Sequence, residues 1–267
     1  VAAVGIALMA PRGKAATAPA TSAAAVWSAV ATATATVPAS ATPDPTPAFA
    51  SFRGVQLRLP VEPGSITVVA FHQSSFNDTY VYKPLVKVRT AAQAQPLADA
   101  ARAAGCESLE PTSAPFADGS GVWTGWGLQV WRTGVNGRSD TAVDCGAPPG
   151  TPVISPVTGT VMRIRPYKLY GRINDFEFNI KADAWNDVDV IVLHVTDPVV
   201  KEGDRLVAGV TRIASVRRLT KVLSGMQLRT YTSEGGNHTH VQLNKITKPN
   251  ETWVVGKDPP GLKRNSN

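Results

Sequence analysis

The sequence lacks the short motifs that identify several large enzyme classes. It has no glycine-rich phosphate loop, no serine-centred nucleophile elbow and no pair of cysteines separated by two residues. After residue 10, no stretch is apolar enough to span a bilayer. Basic residues are scattered and are not interleaved with aromatic ones, so we expect no nucleic-acid partner.

Acidic residues are almost absent from the N-terminal part. Residues 15–50 contain only Asp44 and consist mainly of alanine, threonine, proline and serine. Such a segment buries too little apolar surface to offset its backbone entropy, so we assign residues 1–50 to a disordered or tethering linker. We interpret its apolar start, Val1–Ala10, as a signal remnant or the end of a membrane tether. Both interpretations place the folded part outside the cytoplasm, secreted or in the cell envelope.

Cysteine is also scarce, with only Cys106 and Cys145 in the chain. An even number in an exported protein predicts one disulfide, and two buried thiols are the alternative. The formal net charge of +7 is compatible with anionic cell-wall polymers as partners. Charge alone does not select a partner, because it also serves solubility.

The pattern after residue 50 divides into two folded regions and a tail. Residues 51–117 combine short β-like runs with an alanine-rich helix expected over residues 91–104, which predicts a small α+β module. This region either forms an accessory module or donates strands to the next domain. Residues 118–250 contain many short apolar runs between glycines and prolines, which predicts a mainly β, sandwich- or barrel-like domain. Residues 251–267 form a C-terminal tail.

Histidine occurs four times, and three of the four fall in the β region. His238 and His240 are two apart in an alternating segment, so both point to one face of a strand. Two imidazoles on one face can bind a metal, although two ordinary surface histidines would show the same spacing. His194 closes an apolar run, as a partly buried edge residue often does. We interpret His72, in the N-terminal region, as an ordinary structural residue.

Two acids and three tryptophans complete the set of candidate residues. Asp140 and Asp144 could supply oxygen ligands, but in an extended chain they lie roughly 13 Å apart and need a turn to share an ion. Trp123, Trp126 and Trp131 could stack on sugars, and packing in the core is the simpler interpretation.

Taken in order, four segments resemble the lysostaphin/LytM-type metallopeptidases, a family of bacterial cell-wall zinc endopeptidases. They are Val143–Val161, Val190–His194, Val200–Ala214 and the terminal His-x-His segment Gly236–Leu243. The resemblance covers about residues 118–250 and implies the β fold of that family, of the barrel-sandwich-hybrid kind.

The resemblance also implies a zinc site. The family's motifs fall on Asp144 and His240 as metal ligands, and on His194 and His238 as residues that polarise the attacking water and stabilise the oxyanion. Where the family has its first metal-binding histidine, four residues before Asp144, this chain has Asp140. A carboxylate can bind zinc, but aspartate is shorter than histidine and adds negative charge.

The function implied is a zinc-dependent endopeptidase, a hydrolase that cuts peptidoglycan peptides. A catalytically degenerate LytM-fold module that binds cell-wall peptides or a partner protein is the alternative, because Asp140 departs from the family's ligand set. A biotinyl- or lipoyl-carrier domain ranks below both, since no lysine stands in a methionine-lysine-methionine context.

Overall fold

A computed structural model describes residues 44–75, 78–104, 121–130, 138–219, 227–232 and 235–263. All of these residues fall in one compact unit, Thr42–Asn267. The predictions for residues 1–43, for Cys106 and for Trp131 lie outside the described residues. Among the described residues, no helix is long and apolar enough to cross a membrane.

The described part of the chain is built mainly of strands, which confirms the predicted mainly β class. The strands are β1 (Ala48–Phe52), β2 (Val55–Arg58), β3 (Val68–His72), β4 (Lys83–Pro84), β5 (Lys87–Thr90), β6 (Trp126–Gln129), β7 (Ala142–Gly146), β8 (Pro152–Ile154), β9 (Gly159–Leu169), β10 (Ile173–Ala182), β11 (Val188–Thr196), β12 (Arg205–Leu206), β13 (Arg212–Val216) and β14 (His238–Lys245). The helices are α1 (Ala91–Ala103), close to the predicted span, and two 3₁₀ turns at Pro63–Ser65 and Gln227–Thr230.

Eleven of the strands form one sheet that holds the candidate site. Its neighbours run in the order β12, β9, β10, β11, β14, β7, β3, β6, β5, and β13 joins β11 to β8. Strand β3 pairs antiparallel with β7, and β5 pairs parallel with β6. The region 51–117 therefore donates strands to the main sheet, which is the second of the two alternatives open from the sequence. Strands β2, β1 and β4 form a separate three-stranded sheet.

The main core lies between the inward faces of these strands. Phe178 and Ile180 on β10 and Val190 and Val192 on β11 share one face of the sheet and are fully buried in this core. Trp123 is also buried in this core. This agrees with packing in the core, the simpler interpretation of that residue.

Strand β1 belongs to the same core, so the linker boundary predicted at residue 50 falls inside a strand. Phe49 is fully buried, and its ring lies 6.3 Å from that of Phe71. The chain just before β1 is fixed as well, because the Thr46 amide donates to the Gly209 carbonyl over 2.9 Å. Gly209 has a φ of 73°, and a side chain there would press on the backbone of Thr46.

Cys145, on β7, is a fully buried free thiol. Its predicted disulfide partner, Cys106, lies outside the described residues. At Cys145 the structure therefore corresponds to the buried-thiol alternative and not to the predicted disulfide.

Candidate metal centre

Three neighbouring strands bring His72, Asp144 and His240 together. His240 on β14 lies directly opposite Asp144 on β7, and His72 at the end of β3 lies opposite Ala142. His72 is thus a diagonal neighbour of Asp144 on the same face of the sheet, within reach of a long side chain. One potential ligand atom from each of the three residues lies within 4.8 Å of the others.

The two imidazole rings are held by partners on the side away from Asp144. The Nδ1 of His72 lies 2.7 Å from the Gln73 carbonyl oxygen, and the Nε2 of His240 lies 2.9 Å from Oε1 of Gln242. Each of these nitrogens therefore has an oxygen within hydrogen-bond distance. The other nitrogen of each ring, His72 Nε2 and His240 Nδ1, faces the carboxylate of Asp144.

Gln242 is itself held by two further contacts. Its Oε1 accepts from the hydroxyl of Ser74 over 3.0 Å, and its amide nitrogen donates to Asn244 over 2.6 Å. These contacts hold the amide group in place beside the His240 ring. Such a second layer of hydrogen bonds is what orients metal-binding histidines in proteins.

This arrangement fits a zinc ion. His240 Nδ1 lies 2.8 Å and His72 Nε2 3.1 Å from Oδ1 of Asp144, so two imidazole nitrogens converge on one carboxylate oxygen. Apart from this approach to Asp144, the buried His72 Nε2 has no hydrogen-bond partner among the described residues. Two imidazole nitrogens and one carboxylate oxygen form a donor set of the kind found in catalytic zinc sites, which leave a fourth position open.

The ionisable groups of the cluster shift one another's pKa values. Burial by itself raises the pKa of Asp144, but the neighbouring His238, His72 and His240 outweigh it and hold that pKa well below its usual range. Burial lowers the pKa of both His238 and His240, although Asp144 opposes this shift. A lowered carboxylate pKa and lowered imidazole pKa values both favour the deprotonated ligands that metal binding requires.

His194 and His238 complete a group of four histidines around Asp144. The Nδ1 of His238 lies 2.8 Å from the Gly236 carbonyl oxygen, and its Nε2 lies 3.6 Å from Oδ2 of Asp144. The ring of His194 packs edge-on against that of His238, with 5.0 Å between the centroids. The structure thus brings together four of the five residues named from the motifs: Asp144, His194, His238 and His240.

His194 reaches this group because β11 is irregular. The register between β10 and β11 shifts between Phe176 and Phe178, where two residues of β11, Leu193 and His194, stand opposite the single residue Glu177 of β10. His194 lies in this bulge with a φ of 63°, a conformation that is rare outside glycine. Backbone strain of this kind concentrates at functional sites.

Asp140 is placed differently. It precedes β7, and its carboxylate accepts two hydrogen bonds from the Arg138 guanidinium, over 2.9 and 3.1 Å. Among the described residues, the three-residue cluster consists of His72, Asp144 and His240 and does not include Asp140.

The third position of that cluster is held by His72, which sequence reasoning interpreted as an ordinary structural residue. One signal did exist: the motifs use three of the four histidines and leave one metal-binding histidine of the family unassigned. The pairing of β3 with β7 that brings His72 there is long-range and cannot be read from local pattern.

No protein-family model and no curated protein sequence matches the chain. Among solved structures it is similar to LytU, at 28% identity over 39% of this chain and 61% of that one, with a TM-score of 0.29. A mutant catalytic domain of the prophage-encoded M23 protein EnpA from Enterococcus faecalis is 24% identical over 46% of this chain and 80% of that one, with a TM-score of 0.30. A zinc-containing peptidase from Vibrio cholerae is 22% identical over 45% of this chain and 31% of that one, with a TM-score of 0.28.

The chain is similar to M23 and zinc-peptidase structures. This agrees with the LytM-type resemblance found in the four motifs, and the chain spans about three fifths of the LytU structure. With TM-scores of 0.30 or below, the similarities carry no argument about the site. The description of the site rests on its own distances and hydrogen bonds.

Proposed function

We propose that this protein is a LytM-type zinc peptidase that hydrolyses peptide bonds of peptidoglycan outside the cytoplasm. The observation that supports the proposal is the convergence of His72 Nε2, His240 Nδ1 and an Asp144 carboxylate oxygen in a buried cluster. His72 takes the place that the motif alone would give to Asp140. The ligand set is then two histidines and one aspartate, the composition that the family's motifs imply.

His72, Asp144 and His240 would hold the ion. Zinc at such a position supplies Lewis acidity, which activates water and polarises a carbonyl group. The chain's own contribution begins with orientation. Gln73 and Gln242 hold the two ligand rings through the nitrogens that face away from Asp144, so the rings are oriented before a substrate arrives.

His238 and His194 are the residues placed to move protons. Burial lowers the pKa of His238, so its ring is neutral and its Nε2 can accept a proton from the attacking water. His194 lies beside it with its Nδ1 directed to Asp175 over 2.9 Å. A carboxylate behind an imidazole stabilises the ring when it takes up a proton, and the charged ring can then donate to the oxyanion.

Peptidoglycan as the substrate is supported by the motif resemblance and by charge. The net charge of +7 favours approach to anionic cell-wall polymers, and the linker-like composition of residues 15–50 suits a protein tethered or secreted into the envelope. Peptides of the wall are therefore the proposed substrates and wall polymers the proposed partners.

The decisive experiment compares His72→Ala with Asp140→Ala in the full chain. Both variants remove one side chain that could serve as the third ligand, and only His72 lies in the cluster. We expect about one zinc per chain in the wild type and in Asp140→Ala, and a loss of zinc in His72→Ala. Metal content is measured by elemental analysis after dialysis, and hydrolysis by release of soluble fragments from purified peptidoglycan.

Three outcomes would contradict parts of the proposal. Zinc lost in Asp140→Ala and kept in His72→Ala would restore the ligand set suggested by the motif. Unchanged zinc content in both variants would show that the cluster is not the metal site. Stoichiometric zinc in a wild-type chain that releases no fragments would favour the non-catalytic module that binds wall peptides.

A further inference from the structure

A buried carboxylate, Asp175, stands directly behind His194. It lies on β10 and is 1% exposed. Its Oδ2 lies 2.9 Å from His194 Nδ1 and accepts from the Tyr167 hydroxyl over 2.7 Å. None of the sequence motifs pointed to this residue.

The other oxygen of Asp175, Oδ1, also accepts hydrogen bonds. Oδ1 accepts from the backbone amides of Phe176 and Val195, each over 2.9 Å, and Arg217 Nε lies 3.4 Å away. The bond to Val195 ties the carboxylate to the bulge of β11 that carries His194. A carboxylate held from every side by donors is a fixed acceptor, with its charge and position set before any substrate binds.

We propose that Asp175 is a positioning residue of the hydrolytic site, which holds His194 as the Nδ1–H tautomer and directs its bare Nε2 toward His238. The effect of Asp175 on catalysis rests on the proposed function. The His194 tautomer does not depend on that function. An ionised carboxylate can only accept, so the proton of His194 must lie on Nδ1. The opposite tautomer would set a nitrogen lone pair against an anionic oxygen at 2.9 Å.

The geometry around His194 supports the proposal that Asp175 positions this ring. The ring is 14% exposed and packs against both His238 and His240, at centroid distances of 5.0 and 5.8 Å. Its positive φ means that the backbone alone would not favour this placement. The hydrogen bond to Asp175 engages Nδ1 and so leaves Nε2 as the ring nitrogen available to the site.

Asp175→Asn is the matched perturbation. Asparagine keeps the size of the side chain, and its oxygen can still accept from the amides of Phe176 and Val195. Its NH₂ group would then stand where Oδ2 was and would donate to His194 Nδ1. The ring proton must move to Nε2, which is the tautomer reversal known to impair carboxylate–histidine pairs in hydrolases.

The first measurement is the ¹⁵N spectrum of histidine-labelled full-length chain at about pH 8.5, above the usual histidine pKa. His194→Gln identifies the His194 signals by their loss. We expect Nδ1–H in the wild type and Nε2–H in Asp175→Asn. Tyr167→Phe is the control, since it removes the hydroxyl partner of Asp175 but leaves the contact with His194, and it should keep Nδ1–H.

The second measurement separates positioning from a structural role. In Asp175→Asn the zinc content and KM should match the wild type, while kcat for a wall peptide falls about 10²- to 10⁴-fold, the range for a misdirected acid–base group. A variant that loses kcat and zinc together, or that alters KM alone, would overturn the positioning role.

The wild-type spectrum decides the tautomer even where Asp175→Asn does not fold. Nε2–H at His194 in the wild type would overturn the proposal, and so would Nδ1–H in a folded Asp175→Asn chain. A wild type that shows Nδ1–H but hydrolyses no peptidoglycan would contradict the proposed function and leave the tautomer assignment standing.

Discussion

The removal of the Phe49 ring tests whether the chain before residue 51 belongs to the folded unit. Phe49 lies on β1 and is fully buried, with its ring 6.3 Å from that of Phe71 and 6.4 Å from that of Tyr82. The composition of residues 15–50 predicts a linker, in which such a substitution would change nothing. In the structure, Phe49→Ala leaves a cavity beside two aromatic rings.

The expected cost follows from burial. Phenylalanine to alanine in a close-packed core destabilises a protein by about 3–5 kcal/mol, because transfer free energy is lost and the cavity closes only partly. For a domain of this size, 1 kcal/mol corresponds to about 2–4 °C in Tm. The midpoint of thermal unfolding should therefore fall by roughly 6–20 °C.

The assay is thermal and urea unfolding followed by circular dichroism and tryptophan fluorescence. Leu97→Ala is the control: Leu97 lies on α1 with 43% of its surface exposed, so its loss should change stability by no more than about 0.5 kcal/mol. If Phe49→Ala unfolds at the same midpoint as Leu97→Ala, β1 is not part of the core and the reasoning fails.

Two further predictions concern β14 and β7. Gln242→Leu removes the side-chain oxygen that orients His240, so zinc affinity measured by chelator competition should fall about 10- to 100-fold, and an unchanged affinity would contradict this orienting role. The matched control is Ser74→Ala, which removes the hydroxyl donor to Gln242 and leaves the contact between Gln242 and His240. Burial raises the pKa of the Cys145 thiol well above its usual value, so in a Cys106→Ser chain it should stay unreactive toward a disulfide reagent at about pH 8 and react after unfolding in urea. Rapid labelling of the native chain would show that Cys145 is accessible.

Local sequence determined the class of the fold and most of the site. Alternation in His238–Asn244 placed His238 and His240 on one face of a strand, because side chains in a strand have a period of two. Glycines and prolines between short apolar runs predicted a mainly β domain, and the structure has that class. The order of the motifs assigned Asp144, His194 and the His-x-His pair to one site without information on strand pairing.

Tertiary structure alone decided the third residue of the His72, Asp144 and His240 cluster and the partner of His194. His72 reaches Asp144 only because β3 lies beside β7, and Asp175 reaches His194 only because β11 bulges where it pairs with β10. Strand order and register arise from long-range packing, whereas local pattern records only which residues share a face. Local pattern also does not show that the Asp140 carboxylate pairs with Arg138. The motifs indicated the kind of chemistry that is proposed for the site, and the pairing of distant strands determined which residues come together there.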